Sequence, residues 1–200
     1  MLKKAAIGAG LPVGLAEDAS QAGAWLIGQD QDGVGAVLMA IKEGINSPGA
    51  KIREGHTQIF LEARVAFCGP SSVDLLASDA SVDEIHLCNV DSPFLLMGQA
   101  GIGYQDFGIE LILRFSGGAT ASISKQGLSL RGPPPEEGTD VFMTCRQSNQ
   151  TTGIANTRTN DIEIGMEAWR AIEALAAKTY VTSSEISRVK GAGAGLIDNC

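Results

Sequence analysis

Glycine placement constrains this chain more than any other sequence feature, because glycine ends helices and strands or lets two backbones approach closely. The 200 residues include 25 glycines, against an average usage of about 7%. The glycines follow no period of three, which excludes a collagen-like fold. Most of them separate apolar runs and predict many short elements. A denser group, Gly191, Gly193 and Gly195, singles out one segment near the C-terminal end.

Composition narrows the class of protein. Apolar residues make up 44% of the chain and charged residues 19%, which is typical of a folded chain and not of a disordered one. The net charge of −8 and the scattered basic residues argue against nucleic acid and anionic membranes as partners. No apolar run reaches the roughly 18 residues of a membrane span, and Met1–Lys4 opens no apolar signal segment. We expect a cytoplasmic protein.

The chain divides into three stretches within one predicted domain, residues 1–200. Residues 1–46 are predicted to be helical, residues 57–147 form a strand-rich core, and residues 160–190 hold C-terminal helices. In the first stretch, Ala19, Ala22 and Gly23 are small enough to let a second helix, predicted over residues 33–45, pack closely.

The strand-rich stretch predicts an α+β fold with a mixed, mostly antiparallel sheet of about five strands, flanked by N-terminal and C-terminal helices. The βαβ pattern predicts one parallel pair, and the fourth and fifth strands are expected to meander antiparallel. Gly101 and Gly103 are interpreted as a helix end. Alternating or apolar runs place the strands at residues 57–67, 84–90, 109–115, 119–125 and 140–146.

The C-terminal segment is the predicted ligand site. Arg188 precedes the glycine group, and an arginine beside glycine N–H groups suits a phosphate or a carboxylate. A helix end followed by a tail is the structural alternative, since a helix precedes the segment and the dinucleotide fingerprint is absent. The predicted ligand-binding residues are Tyr180, Ser184, Arg188, Gly191, Gly193, Gly195 and Asp198.

One short spacing suggests other chemistry. His86 and Cys88 lie two residues apart in a predicted strand and share a face, as a metal site or a nucleophile–base pair requires. No second close pair of ligands accompanies them, so a buried thiol beside a histidine is the preferred interpretation and no metal site is predicted. His56 is interpreted as a surface histidine. The sequence identifies no catalytic residue and no cofactor.

Two segments carry a family resemblance. Residues 8–19 and residues 179–199 resemble the N-terminal and C-terminal signatures of an uncharacterised bacterial protein family, domain of unknown function 3726. Val13 and Thr182 stand where that family usually has tryptophan and proline. The resemblance implies a match along the whole chain, and it implies no activity.

Two functional hypotheses follow. The first is a bacterial cytoplasmic protein that binds a small anionic metabolite through the C-terminal segment. The alternative is a non-catalytic interaction module, such as a homodimer or another homo-oligomer, in which the small residues of the N-terminal helix pair pack between subunits. Whether the chain is an enzyme stays open.

Overall fold

A computed structural model describes residues 1–42, 49–147 and 164–180. Helices open and close this part of the chain, and strands fill its middle. The helices are α1 (Leu2–Gly8), α2 (Val13–Ile27), α3 (Gly33–Ile41), α4 (Val65–Ser78), α5 (Pro93–Phe107) and α6 (Met166–Ala177). None of them combines the length and apolarity that crossing a lipid bilayer requires.

The strands form one mixed sheet, which confirms the predicted α+β class. Its order is β1-β2-β3-β7-β4-β5-β6, and β2–β3 is its parallel pair, as the βαβ pattern predicted. The count of about five strands was too low. The strands are β1 (Lys51–Glu54), β2 (Thr57–Phe60), β3 (Glu84–Val90), β4 (Ile109–Phe115), β5 (Thr120–Ser124), β6 (Gly127–Arg131) and β7 (Thr139–Gln147).

Two predictions about the strands were wrong. The strand predicted over residues 57–67 ends at Phe60, and α4 begins at Val65. The alternation of apolar residues in this segment was misleading. Ala63 is buried in the loop after β2 and Val65 at the start of α4, so neither belongs to a strand. The predicted meander of the fourth and fifth strands fails because β7 lies between β3 and β4 instead of beside β5.

The helices cover one face of the sheet. Alternate residues of the central strands point toward them and are fully buried, such as Ile85 and Leu87 on β3 and Leu111 and Leu113 on β4. The residues between them point to the opposite side of the sheet, and those such as His86 on β3 are only partly buried. We call this second side the open face.

Glycines within α5 allow close helix packing. The predicted helix end at Gly101 and Gly103 was wrong, because α5 continues to Phe107 and stops before Gly108, which has φ +69°. A Cβ added at Gly101 would lie 2.3 Å from the Trp25 ring of α2.

The small residues of α2 also pack inside the chain, since Ala22 contacts Gly98 of α5. Helix α5 therefore covers the small residues that suggested a homodimer. The oligomeric state stays a prediction.

A buried carboxylate caps α4. Asp91, 6% exposed, follows β3, and its Oδ1 accepts a hydrogen bond of 2.9 Å from the N–H of Val65. Burial raises the pKa of Asp91 to about 6, although the charge of Arg64 and hydrogen bonds to backbone N–H groups oppose the rise.

Replacing Gly101 with alanine should destabilise the protein by about 1 to 3 kcal/mol, because the new methyl group overlaps the Trp25 ring. Gly14→Ala is the matched control, since nothing lies within 4 Å of a Cβ there. It should leave stability unchanged or raise it by up to about 1 kcal/mol through helix propensity. Urea unfolding measures both. Equal effects of the two substitutions would contradict the packing argument.

Asp91 should make stability depend on pH. Between pH values of about 4 and 6 the folded state keeps a proton that the unfolded state loses, so rising pH costs the wild type stability. Asp91→Asn removes this titration and keeps an acceptor for Val65. The free energy of unfolding of the variant, relative to wild type, should rise by about 2 to 3 kcal/mol between about pH 4 and pH 7. Urea unfolding at several pH values tests this, and a constant difference contradicts it.

Candidate functional site

The candidate site lies at the carboxyl end of β2, which pairs in parallel with β3. Open α/β sheets commonly bind ligands at the carboxyl ends of their strands. The loop Leu61–Arg64 leaves β2 there and enters α4. Two hydrogen bonds fix it against the end of β3. Ala63 N–H donates to the carbonyl of Cys88 at 2.8 Å, and its own carbonyl accepts from Asp91 N–H at 3.2 Å.

This loop forms one wall of a cavity of about 290 Å³. That volume is at the small end of the range for ligand pockets. Apolar groups make up most of the walls, and the side chains of Lys51, Arg64 and Ser71 supply the polar groups. The lining residues are Gly49, Lys51, Phe60, Leu61, Ala63, Arg64, Phe67, Cys68 and Ser71.

Two basic side chains line this cavity in an acidic chain. Lys51 and Arg64 line it, and none of the described lining residues is acidic. The Lys51 ammonium lies 5.2 Å from the centre of the Phe60 ring, a cation–π distance. Two other cavities, of about 410 and 350 Å³, have carboxylates and no cation among their described lining residues. Of these three cavities, the Lys51–Arg64 cavity is the one lined by basic and no acidic described residues, and we call it the cationic pocket.

The thiol in this pocket is not an activated nucleophile. Burial, and then the charge of Asp91, raise the pKa of Cys68 to about 12. A thiolate is the reactive form of cysteine, so Cys68 serves as a neutral, apolar part of the wall. Cys68 therefore supplies no thiolate nucleophile to the pocket.

Most of the sequence-predicted ligand residues fall outside the described residues. These are Ser184, Arg188, Gly191, Gly193, Gly195 and Asp198. Tyr180 lies within them, directly after α6, and its side chain is 55% exposed. The Lys4 ammonium lies 5.0 Å from the centre of its ring. The predicted C-terminal site therefore stays a prediction.

The His86–Cys88 pair gains a third residue in the fold. Both side chains lie on the open face, and Asp140 of β7 joins them. Partial burial, and then the charges of Asp140 and Glu62, raise the pKa of Cys88, which disfavours its thiolate. His56 is exposed, with Nδ1 3.5 Å from the Asp83 carboxylate, as a surface histidine would be.

Sequence reasoning missed Lys51, Arg64 and Asp140. Lys51 belongs to a strand that was not predicted, and Arg64 was placed within a strand instead of before a helix. The signal for Arg64 was the helical spacing of Val65, Ala66 and Gly69, which are buried along α4. Asp140 was placed in a strand, but no local pattern connects it with His86.

The family resemblance extends over the first part of the chain. The family model described as "Protein of unknown function (DUF3726)" matches residues 1–59, which include the first predicted signature. The second signature, residues 179–199, lies beyond the match. No curated protein and no solved structure matches the chain. Over its first 59 residues the chain is therefore similar to a family of unknown function.

Proposed function

We propose that this protein binds a small organic anion, a carboxylate with an apolar or aromatic body, in the cationic pocket. The observation that carries the proposal is the presence of Lys51 and Arg64 around an apolar cavity in a chain of net charge −8. The apolar walls take up the body of the ligand, and the two cations attract its carboxylate.

The two cations differ in what they contribute. Arg64 is half-buried and Lys51 is exposed, so solvent screens Lys51 more strongly. Arg64 also offers a planar guanidinium that binds carboxylates through two N–H groups. We therefore assign the larger share of the affinity to Arg64.

The sequence-based site is kept as a second location for the same function. Arg188 and the glycines that follow it suit an anion, and Lys4 places a further cation near Tyr180, where that segment begins. A bacterial source, a cytoplasmic location and a homodimer also remain proposals.

Binding of 1-naphthoate, measured by calorimetry, tests the proposal. Arg64→Gln should weaken binding about tenfold and Lys51→Met about threefold. The neutral analogue 1-naphthamide should bind more weakly than the acid, because it lacks the charge. Arg131→Gln, a charge-matched change on the far edge strand β6, should have no effect.

Arg188→Ala distinguishes the two locations. If it alone weakens binding, the ligand occupies the C-terminal segment and the cationic pocket proposal is wrong. If wild type binds neither naphthoate nor other members of an aromatic and aliphatic carboxylate series, both locations are excluded for this ligand class. Circular dichroism confirms that each variant is folded before its affinity is compared.

A further inference from the structure

Three potential metal ligands meet on the open face. His86 and Cys88 come from alternate positions of β3, and Asp140 comes from the adjacent strand β7. Cys88 Sγ lies 3.5 Å from His86 Nε2, and Asp140 Oδ2 lies 3.8 Å from the same nitrogen. One donor atom from each residue lies within 4.8 Å of the other two.

A β-bulge brings these groups together. The register of β3 against β7 shifts between Leu87 and Val90, and Asn89 adopts φ +52° there. Asn89 N–H donates to Asp140 Oδ1 at 2.9 Å. This hydrogen bond fixes Oδ1, and the other carboxylate oxygen, Oδ2, faces His86. Bulges commonly re-aim side chains in this way at functional sites.

The imidazole is held from one side. The His86 ring stacks on Phe142 of β7, with ring centres 4.2 Å apart and planes 15° apart. The Asn89 side chain in turn donates a hydrogen bond to Glu62. Outer contacts of this kind orient the residues that ligate metals.

The distances suit a shared ion better than a proton relay. In a relay, the nucleophile and the carboxylate use opposite nitrogens of the histidine, whereas Sγ and Oδ2 both lie nearest to Nε2. Tetrahedral zinc bonds of about 2.0 to 2.3 Å give ligand-to-ligand distances of about 3.3 to 3.6 Å. The two donor distances to Nε2 are close to this range, and all three donor atoms lie within 4.8 Å of one another, so the side chains must draw closer together for the donors to share one ion.

We propose that His86, Cys88 and Asp140 form a binding site for a divalent metal ion of the zinc class. Imidazole, carboxylate and thiolate are the ligand types that zinc takes in proteins. An ion that binds here displaces the proton of the Cys88 thiol, which is released to solvent. The site is distinct from the cationic pocket and does not depend on the proposed anion binding.

The surroundings favour a cation. Asp140 belongs to the cluster, and a second carboxylate, Glu62, accepts a hydrogen bond from the side chain of Asn89, the residue after Cys88. The His86 and Asp140 side chains are 22% and 44% exposed, which gives an ion a path from solvent. Three protein ligands leave a fourth position for water.

Cobalt titration under reducing conditions tests the site, because a thiolate bound to Co²⁺ gives a charge-transfer absorption band. The full chain carrying Cys200→Ser is used, so that Cys68, Cys88 and Cys145 are its remaining thiols. We expect one equivalent of Co²⁺ to bind with this band and Zn²⁺ to displace it. Cys88→Ser should abolish the band, and His86→Gln and Asp140→Asn should each weaken binding at least about tenfold.

Cys145→Ser is the matched control. Cys145 also lies on β7, but its Sγ contacts the carbonyl of Leu76 on the helix-covered side, so its loss should leave the band intact. Absence of stoichiometric Co²⁺ binding overturns the proposal. A band that persists in Cys88→Ser also overturns it.

Alkylation of the same chain without any site substitution gives a readout that does not depend on variants folding. Zn²⁺ should slow iodoacetamide modification of Cys88 at least about tenfold, because a metal-bound thiolate is shielded, and should leave Cys145 unaffected. Peptide mass spectrometry measures each cysteine separately. Equal rates at Cys88 with and without Zn²⁺ contradict the proposal.

Discussion

Asp91 joins the two loops that follow the parallel strands β2 and β3. Its buried carboxylate accepts the Val65 N–H at the start of α4, and its own N–H donates to the Ala63 carbonyl. Ala63 N–H in turn donates to Cys88 on β3. These bonds satisfy backbone groups that would otherwise be buried without partners, which is costly. They also fix where the loop Leu61–Arg64 lies.

Both proposed sites border this loop, which has two chemically different sides. Leu61, Ala63 and Arg64 line the cationic pocket, whereas Glu62 accepts a hydrogen bond from Asn89 beside the proposed metal ligands. One side therefore presents positive charge to a cavity and the other presents negative charge near the open face. The two proposed sites, one for an anion and one for a cation, therefore border opposite sides of the same loop.

Sequence periodicity predicted the elements whose local pattern matches their environment. The strand at Glu84–Val90 and the strand at Ile109–Phe115 have the predicted bounds. Prediction failed where tertiary contacts override local preference. Residues 63–67 alternate like a strand, but the Asp91 cap favours a helix from Val65. Gly101 and Gly103 were interpreted as a helix end, but they lie within α5 and allow it to pack against Trp25 and Val73.

The sequence by itself determined the α+β class, the parallel βαβ unit and the shared face of His86 and Cys88, because periodicity and short spacings act locally. Only the tertiary structure decided which distant residues meet. Asp140 reaches His86 because β7 inserts between β3 and β4. Lys51 lines the same cavity as Arg64 because β1 pairs with β2 as an edge strand. Strand order depends on how the whole core packs, so no local sequence pattern predicts which of these distant residues become neighbours.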